Sequence, residues 1–390
     1  MKLFKEITIA TISIVALAAC QKEKAPLQTN EPESITEEAA ENSLQRTGHD
    51  SREFVYTLSN QAGGNKVITY RRSSDGMLTY SASFDAGGNG TGGGLGNQGA
   101  LIVSDDRKFL LAVNAGSNTI SSFRIRNNGL DLRCTINSRG TLPVSIAQHH
   151  DLVYVLNAGG TGNISGFRLN ENGTLFPIYH STRPLSSTAA GAAQISFVND
   201  GKVLVITEKA TNKIITYRLN QWDRPGAMHS ITSANTTPFG FAPGKEGNIF
   251  VSEAAGGAPG ASTLSSYRIG NNGHISLTQG PVGANQSAAC WVVLTNNGKY
   301  AYTTNTASNN ISSFSVNPWS GHFSVSEAIA ETTGAGPIDA AIAGNSRYLY
   351  ILNSAAHSIQ GFVIGHNGSL SSLQTVSGLP DGANGLAATD

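Results

Sequence analysis

The feature that most constrains this chain is a sevenfold repeat of two strand patterns. One strand ends in a polar residue, at Asn60, Asn114, Asn157, Glu208, Glu253, Asn305 and Asn353. About ten residues later an apolar–small–small–aromatic strand follows, at Val67–Tyr70, Ile120–Phe123, Ile164–Phe167, Ile214–Tyr217, Leu264–Tyr267, Ile311–Phe314 and Ile359–Phe362. The span from Asn60 to Asn353 is covered in six steps, about 49 residues each. Short alternating strands at that period predict an all-β, seven-bladed β-propeller.

The sixth repeat shows the pattern of one blade. Ala289 to Leu294 is an apolar inner strand (A), and Asn296-Asn297-Gly298 is a hairpin turn. Tyr300 to Asn305 is strand B, Ile311 to Val316 strand C, and Phe323 to Ala328 the outer strand D. The C-to-D turn recurs as Asp75-Gly76, Asn128-Gly129, Asn172-Gly173, Asn272-Gly273 and Asn367-Gly368. The first recognisable strand, from Phe54, reads as a B strand lacking its A strand. The last segment, Gly382 to Ala388, reads as an A strand lacking its B strand. The C-terminus is therefore expected to supply the inner strand of the first blade and close the ring, which removes the free edges of an open array.

The propeller takes up residues 52–390, so the length of 390 residues does not imply several globular domains. Residues 1–19 read as a signal peptide. Lys2 and Lys5 precede an apolar stretch from Ile7 to Ala19, too short to span a bilayer core of about 30 Å. Leu17-Ala18-Ala19-Cys20 resembles the bacterial lipobox, which implies cleavage before Cys20 and lipid attachment to it. Residues 20–51 then form a Glu- and Pro-containing tether, poor in aromatics, that buries too little to fold. Together these predict an outer-membrane lipoprotein of the cell envelope, on its periplasmic face or at the cell surface, held by lipid and monomeric. The formal net charge is zero and no basic stripe occurs, which argues against nucleic acid. Cys134 falls on an outer strand of blade 2 and Cys290 on an inner strand of blade 6, too far apart for a bridge that needs Cα atoms within about 7 Å.

In a propeller, strand A starts and strand B ends on one face, here the top. The strand A beginnings Gln98, Ser145, Gln194, Phe239, Trp291, Asp339 and Asn384 are thus candidates for lining the channel, with Ser145, Gln194, Phe239, Trp291 and Asp339 as substrate-binding residues. Five of the seven strand B ends are Asn, a turn-capping residue; Glu208 and Glu253 break the pattern in adjacent blades. They are candidates for acid–base catalysis, or else repeat the capping role of Asn. A divalent cation between them has no further support, and no cofactor is expected. Arg139 and Arg183, in D-to-A loops of the same face, are candidates for holding an anionic substrate group.

The segment from Gly87 to Gly96 imitates a phosphate loop, but no helix follows, so it reads as a mobile top-face loop. His149 and His150 fall in an A-to-B turn on the bottom face, where adjacent side chains are expected to diverge, and read as solvated. There is no zinc-type Cys/His cluster and no nucleophile elbow. The Arg after the strand C aromatic (Arg71, Arg124, Arg168, Arg218, Arg268) reads as a surface or inter-blade contact.

Several segments resemble the lactonase family of seven-bladed propellers, which includes 6-phosphogluconolactonase and 3-carboxymuconate cyclase. They are Val113 to Ile120, Thr207 to Ile214, Thr237 to Phe241, Ala288 to Val293 and Gly336 to Asp339. The resemblance implies hydrolysis or isomerisation of a small sugar-acid or carboxylic lactone by His, Arg and Glu around the channel. No His begins any A strand here, so the family's histidine has no counterpart at those positions. The alternative is a non-catalytic envelope propeller whose top face docks a glycan or a partner protein.

Overall fold

A computed structural model describes residues 53–389. The expected signal peptide, the lipidated Cys20 and the tether lie outside the described residues. Among the described residues no helix is long and apolar enough to cross a membrane.

Seven antiparallel sheets form the ring. Blade 4 is typical, with Ala192–Val198, Val203–Glu208, Lys213–Leu219 and Pro225–Thr232 ordered from the channel outward. Strands A to C of this blade are almost wholly buried, whereas the outer strand is exposed or half-buried after its first residue. Blade 3 departs from the pattern, because its outer strand is split into Leu175–Pro177 and Arg183–Pro184.

Closure follows the expectation from the chain ends. Asn384–Ala388 pairs antiparallel with Phe54–Leu58, in register Val55↔Ala388, Tyr56↔Ala387 and Thr57↔Leu386. Thr389 completes the seam, its Oγ1 accepting from Phe54 N at 2.7 Å. Blade 1 is thus made from both ends of the described chain.

The turn glycines have a packing role between blades. Gly76, Gly173, Gly273 and Gly368 all adopt φ between 80° and 90°, and a Cβ on Gly76 or Gly368 would collide with Tyr348 or Tyr300 of the preceding blade. The freed space lets a tyrosine reach the turn carbonyl: Tyr302 donates to Gly368 O at 2.9 Å and Tyr350 to Gly76 O at 2.6 Å. The strand C arginines fasten the rim. Arg71, Arg124 and Arg268 donate to the carbonyls of Asn127, Glu171 and Trp319 in the next blade. Cys134 and Cys290 lie on the expected strands and do not bridge.

A bulge interrupts the top of the inner strand in six blades, between Pro143/Ser145, Ala192/Gln194, Pro238/Phe241, Ala289/Trp291, Pro337/Asp339 and opposite Thr57/Leu58. A bulge re-aims the side chains beside it. Here it governs what the channel presents.

Candidate functional site

The top-face channel mouth holds a cavity of about 520 Å³. Its wall comes from four kinds of top-face segment: the glycine loop Gly92 to Gly96, the B-to-C loops carrying Lys209 and Ser354 to His357, the strand starts Trp291 and Ile338, and the closing segment Asp381 to Asn384. A larger groove of about 800 Å³ lies elsewhere, on the bottom face between blades 2 and 3. The channel mouth is the better candidate because it gathers chemistry from blades on opposite sides of the ring.

Three ionisable side chains line that cavity. Lys209 is held twice: its Nζ sits 4.6 Å from the centroid of the Phe239 ring and donates to the carbonyl of Gly96. His357 Nε2 lies 3.5 Å from Asp381 Oδ1, with both groups open to solvent. Asn384, also lining the cavity, is buried with no partner for its Oδ1 among the described residues. Trp291 forms the floor, 1% exposed, its Nε1 donating to Asn97 O at 2.7 Å and its ring 4.9 Å from Phe239.

The floor itself is built by the loop that enters blade 2. Asn97 and Gln98 leave the blade and run into the channel. Gln98 N donates to Ala193 O of blade 4, while its side chain spans to blade 6. Gln98 and Gln194 consequently line a separate, mostly apolar cavity of about 370 Å³ below this partition. The glycine loop is tied down, contrary to the expected mobility. Asn60 Nδ2 donates to Gly93 O at 2.6 Å and Gly382 O at 3.1 Å, and its Oδ1 accepts from Thr91 N at 3.0 Å. Gly90 packs so closely on the Asn60 backbone that no side chain fits there.

The structure does not bring Glu208, Glu253, Arg139 or Arg183 to the wall of this cavity. Both glutamates are 0% exposed. Glu208 accepts from Ser186 N at 2.8 Å, from Ser186 Oγ and from Thr211 Oγ1 at 2.6 Å. Glu253 accepts from Ser233 Oγ at 2.7 Å, Asn235 N at 3.1 Å, Thr263 Oγ1 at 2.6 Å, Ser265 Oγ at 2.7 Å and Tyr267 OH at 3.2 Å. Among the described residues the two carboxylates share no hydrogen-bond partner. Each ties its own B strand to the D-to-A loop, as Asn157 does by donating to Ser138 O and Asn114 by donating to Ala86 O. Burial, reinforced by the adjacent carboxylate, pushes the Tyr217 and Tyr267 hydroxyls up to about 12.

Arg139 is an exposed turn residue with φ 63°. Arg183 folds onto the carbonyls of His180 and Thr182 at 3.1 and 2.8 Å. Among the expected substrate-binding residues only Trp291 lines the upper cavity. Ser145 is buried, its Oγ accepting from Ile195 N; Phe239 lies beneath Lys209. Gln194 is paired with Phe241, accepting from its N at 2.6 Å and donating to its O at 2.9 Å. Asp339 accepts from Ala340 N at 2.8 Å and Leu386 N at 3.0 Å, and burial raises its carboxyl to about 8. Lys209, His357 and Asp381 carried a weak sequence signal: each lies in a loop assigned to the top face, Lys209 and His357 between strands B and C and Asp381 before the closing strand A. Only the folding of the ring shows that blade 4 and the loops of blade 7 leading to the closing strand deliver them to one mouth.

The fold and this mouth define a seven-bladed propeller with its candidate site at the top of the channel. More particularly, the fold is lactonase-like: residues 260–389 match the family described as Lactonase, 7-bladed beta-propeller. No curated protein matches the chain. Among solved structures it is similar to a "putative 6-phosphogluconolactonase" from Bacteroides fragilis, with TM-score 0.69 and 18% identity over 88% of this chain and 100% of that one. It is also similar to the periplasmic gluconolactonase PpgL of Pseudomonas aeruginosa, with TM-score 0.65 and 16% identity over 85% and 98% of the two chains. A protein from Lactobacillus plantarum gives TM-score 0.69 and 15% identity over 87% and 99%. At such identities the likeness is one of fold.

Proposed function

We propose that the upper channel cavity hydrolyses a small sugar-acid or carboxylic lactone, in a monomer held to the cell envelope by lipid on Cys20. The observation that carries this reading is the convergence of Lys209, His357 and Asp381 on one cavity. His357, oriented by Asp381 at 3.5 Å, takes a proton from water as the water oxygen attacks the lactone carbonyl carbon. The ring C–O bond then breaks, the proton passes to the leaving alkoxide, and a hydroxy acid is released. Lys209, fixed by Phe239 and Gly96, supplies positive charge where the carbonyl oxygen becomes anionic.

The test is a panel of sugar-acid and carboxylic lactones incubated with the purified full chain near neutral pH. His357→Ala and Lys209→Met should each lower kcat/KM about 100-fold, with the melting temperature unchanged in His357→Ala and the Lys209→Met chain still folded at the assay temperature. If no lactone opens faster with the native chain than with His357→Ala, the reading fails. The lipid anchor is tested separately, by metabolic labelling with a fatty-acid analogue that Cys20→Ala should abolish.

A further inference from the structure

The A-to-B turns of three successive blades meet on the bottom rim, far from the lactone cavity. They contribute Asp105 from blade 2, His149 and His150 from blade 3, and Asp200 from blade 4. Adjacent residues in an extended strand point apart. His150 instead takes φ 54°, and this left-handed step swings its ring back until the two imidazole centroids are 4.2 Å apart. One ligand atom each from His149, His150 and Asp200 lies within 4.8 Å of the others.

We propose that these three residues bind a divalent transition-metal ion of the Zn²⁺ type. Two imidazole nitrogens and one carboxylate oxygen make the mixed N/O donor set such ions take, whereas Mg²⁺ and Ca²⁺ prefer oxygen donors. The second observation is the environment of His149. Its Nε2 faces Asp200 Oδ1 at 3.6 Å and its Nδ1 faces Asp105 Oδ2 at 3.7 Å. With Nε2 on a metal, the far nitrogen is left beside a carboxylate, which would orient the ring once a small rotation brings the pair to hydrogen-bond length.

Asp105 is itself fixed, its Oδ2 accepting from His150 N at 3.1 Å and its N donating to Gln148 Oε1 at 2.9 Å. The His149 ring is confined by Phe197, 6.0 Å away between centroids, and by Gly201, where no Cβ fits. His150 and Asp200 are exposed, so they can close by the roughly 1 Å needed for metal–ligand bonds of about 2.0–2.2 Å. Asp105 and His150 also line the bottom groove of about 800 Å³, so coordination positions not filled by protein face an accessible space.

The experiment is calorimetric titration of the full chain, free of any affinity tag and stripped with a chelator, using Zn²⁺ and then Mg²⁺ and Ca²⁺. One Zn²⁺ should bind per chain, and neither of the other ions. His150→Ala and Asp200→Ala should each weaken Zn²⁺ binding at least about 10-fold, and Asp105→Asn about 10-fold through His149. Melting temperatures without metal should not change, since His150 and Asp200 are exposed. Absence of saturable Zn²⁺ binding would overturn the proposal. So would equal affinity in the His150→Ala, Asp200→Ala double variant. Neither result bears on lactone hydrolysis.

Discussion

Gln98 and Val292, from blades 2 and 6, face each other across the channel in a reciprocal pair of hydrogen bonds. Gln98 Nε2 donates to Val292 O at 2.8 Å, and Val292 N donates to Gln98 Oε1 at 3.2 Å. The carboxamide imitates one residue of a neighbouring strand and satisfies two backbone groups that the channel would otherwise leave unpaired. It also separates the upper cavity from the lower one.

Gln98→Ala strips both partners from Val292 while Trp291 stays in the floor on Asn97. The loss should be about 1–3 kcal/mol in denaturant unfolding. A structure of the variant should show the lower cavity enlarged toward Val292. Unchanged stability would mean that the side chain does not span the channel in solution.

Ring closure gives a second expectation. Deleting residues 384–390 removes the inner strand of blade 1, exposes the edge of Phe54–Leu58 and takes from Asp339 its contact with Leu386. A propeller edge opened this way loses cooperativity. The truncated chain should show no sharp thermal transition and should self-associate in size-exclusion chromatography. A native-like melt would count against the closure.

The repeat made the architecture legible because strand alternation, turn glycines and chain-end phase are local signals that recur seven times. Asn384–Ala388 could be placed against Phe54–Leu58 from phase alone. Side-chain direction at the channel was not legible. A one-residue bulge leaves the hydrophobic pattern of the inner strand intact while Ser145, Gln194 and Asp339 beside it bond to the backbone of the neighbouring inner strand. The excursion of Asn97 and Gln98 into the channel likewise depends on contacts with blades 4 and 6, more than 90 residues away in sequence. The divergence expected of His149 and His150 failed for a backbone reason, the positive φ of His150.

Asp339 should make stability depend on pH in an unusual direction. Its carboxyl is raised from 3.8 to about 8 by burial, against the lowering effect of the Ala340 and Leu386 N–H groups. Between these values the folded state keeps the proton and the unfolded state has lost it, so the folded state binds more protons and stability falls as pH rises. Below about pH 4 both states are protonated and this group contributes no slope. Asp339→Asn removes the titration. The native chain should lose stability relative to this variant from pH 5 to pH 8, by at most about 1.4 kcal/mol per unit. A constant difference across that range would show that Asp339 is ionised in the folded protein throughout.

Glu253 provides the sharpest separation of structural from catalytic roles. Its two oxygens accept five hydrogen bonds, from Ser233, Asn235, Thr263, Ser265 and Tyr267, and none of these groups lines the upper cavity. Alanine leaves a buried cluster of donors without an acceptor, each unsatisfied group costing about 1–3 kcal/mol before relaxation. Serine and threonine hydroxyls can turn toward one another and recover part of that loss. The net cost of Glu253→Ala should therefore be about 3 kcal/mol or more, read as a lowered urea midpoint. Glu253→Gln keeps one acceptor oxygen but points an amide donor at other donors, so it should fall between the native chain and alanine. Because the damage is confined to blade 5, lactone turnover per folded molecule should be the same in all three, measured well below their melting temperatures. His357→Ala should behave in the opposite way, with turnover lost and the urea midpoint kept. A Glu253→Gln chain that melts normally and turns over no lactone would move the catalytic carboxylate back to blade 5, and with it the site.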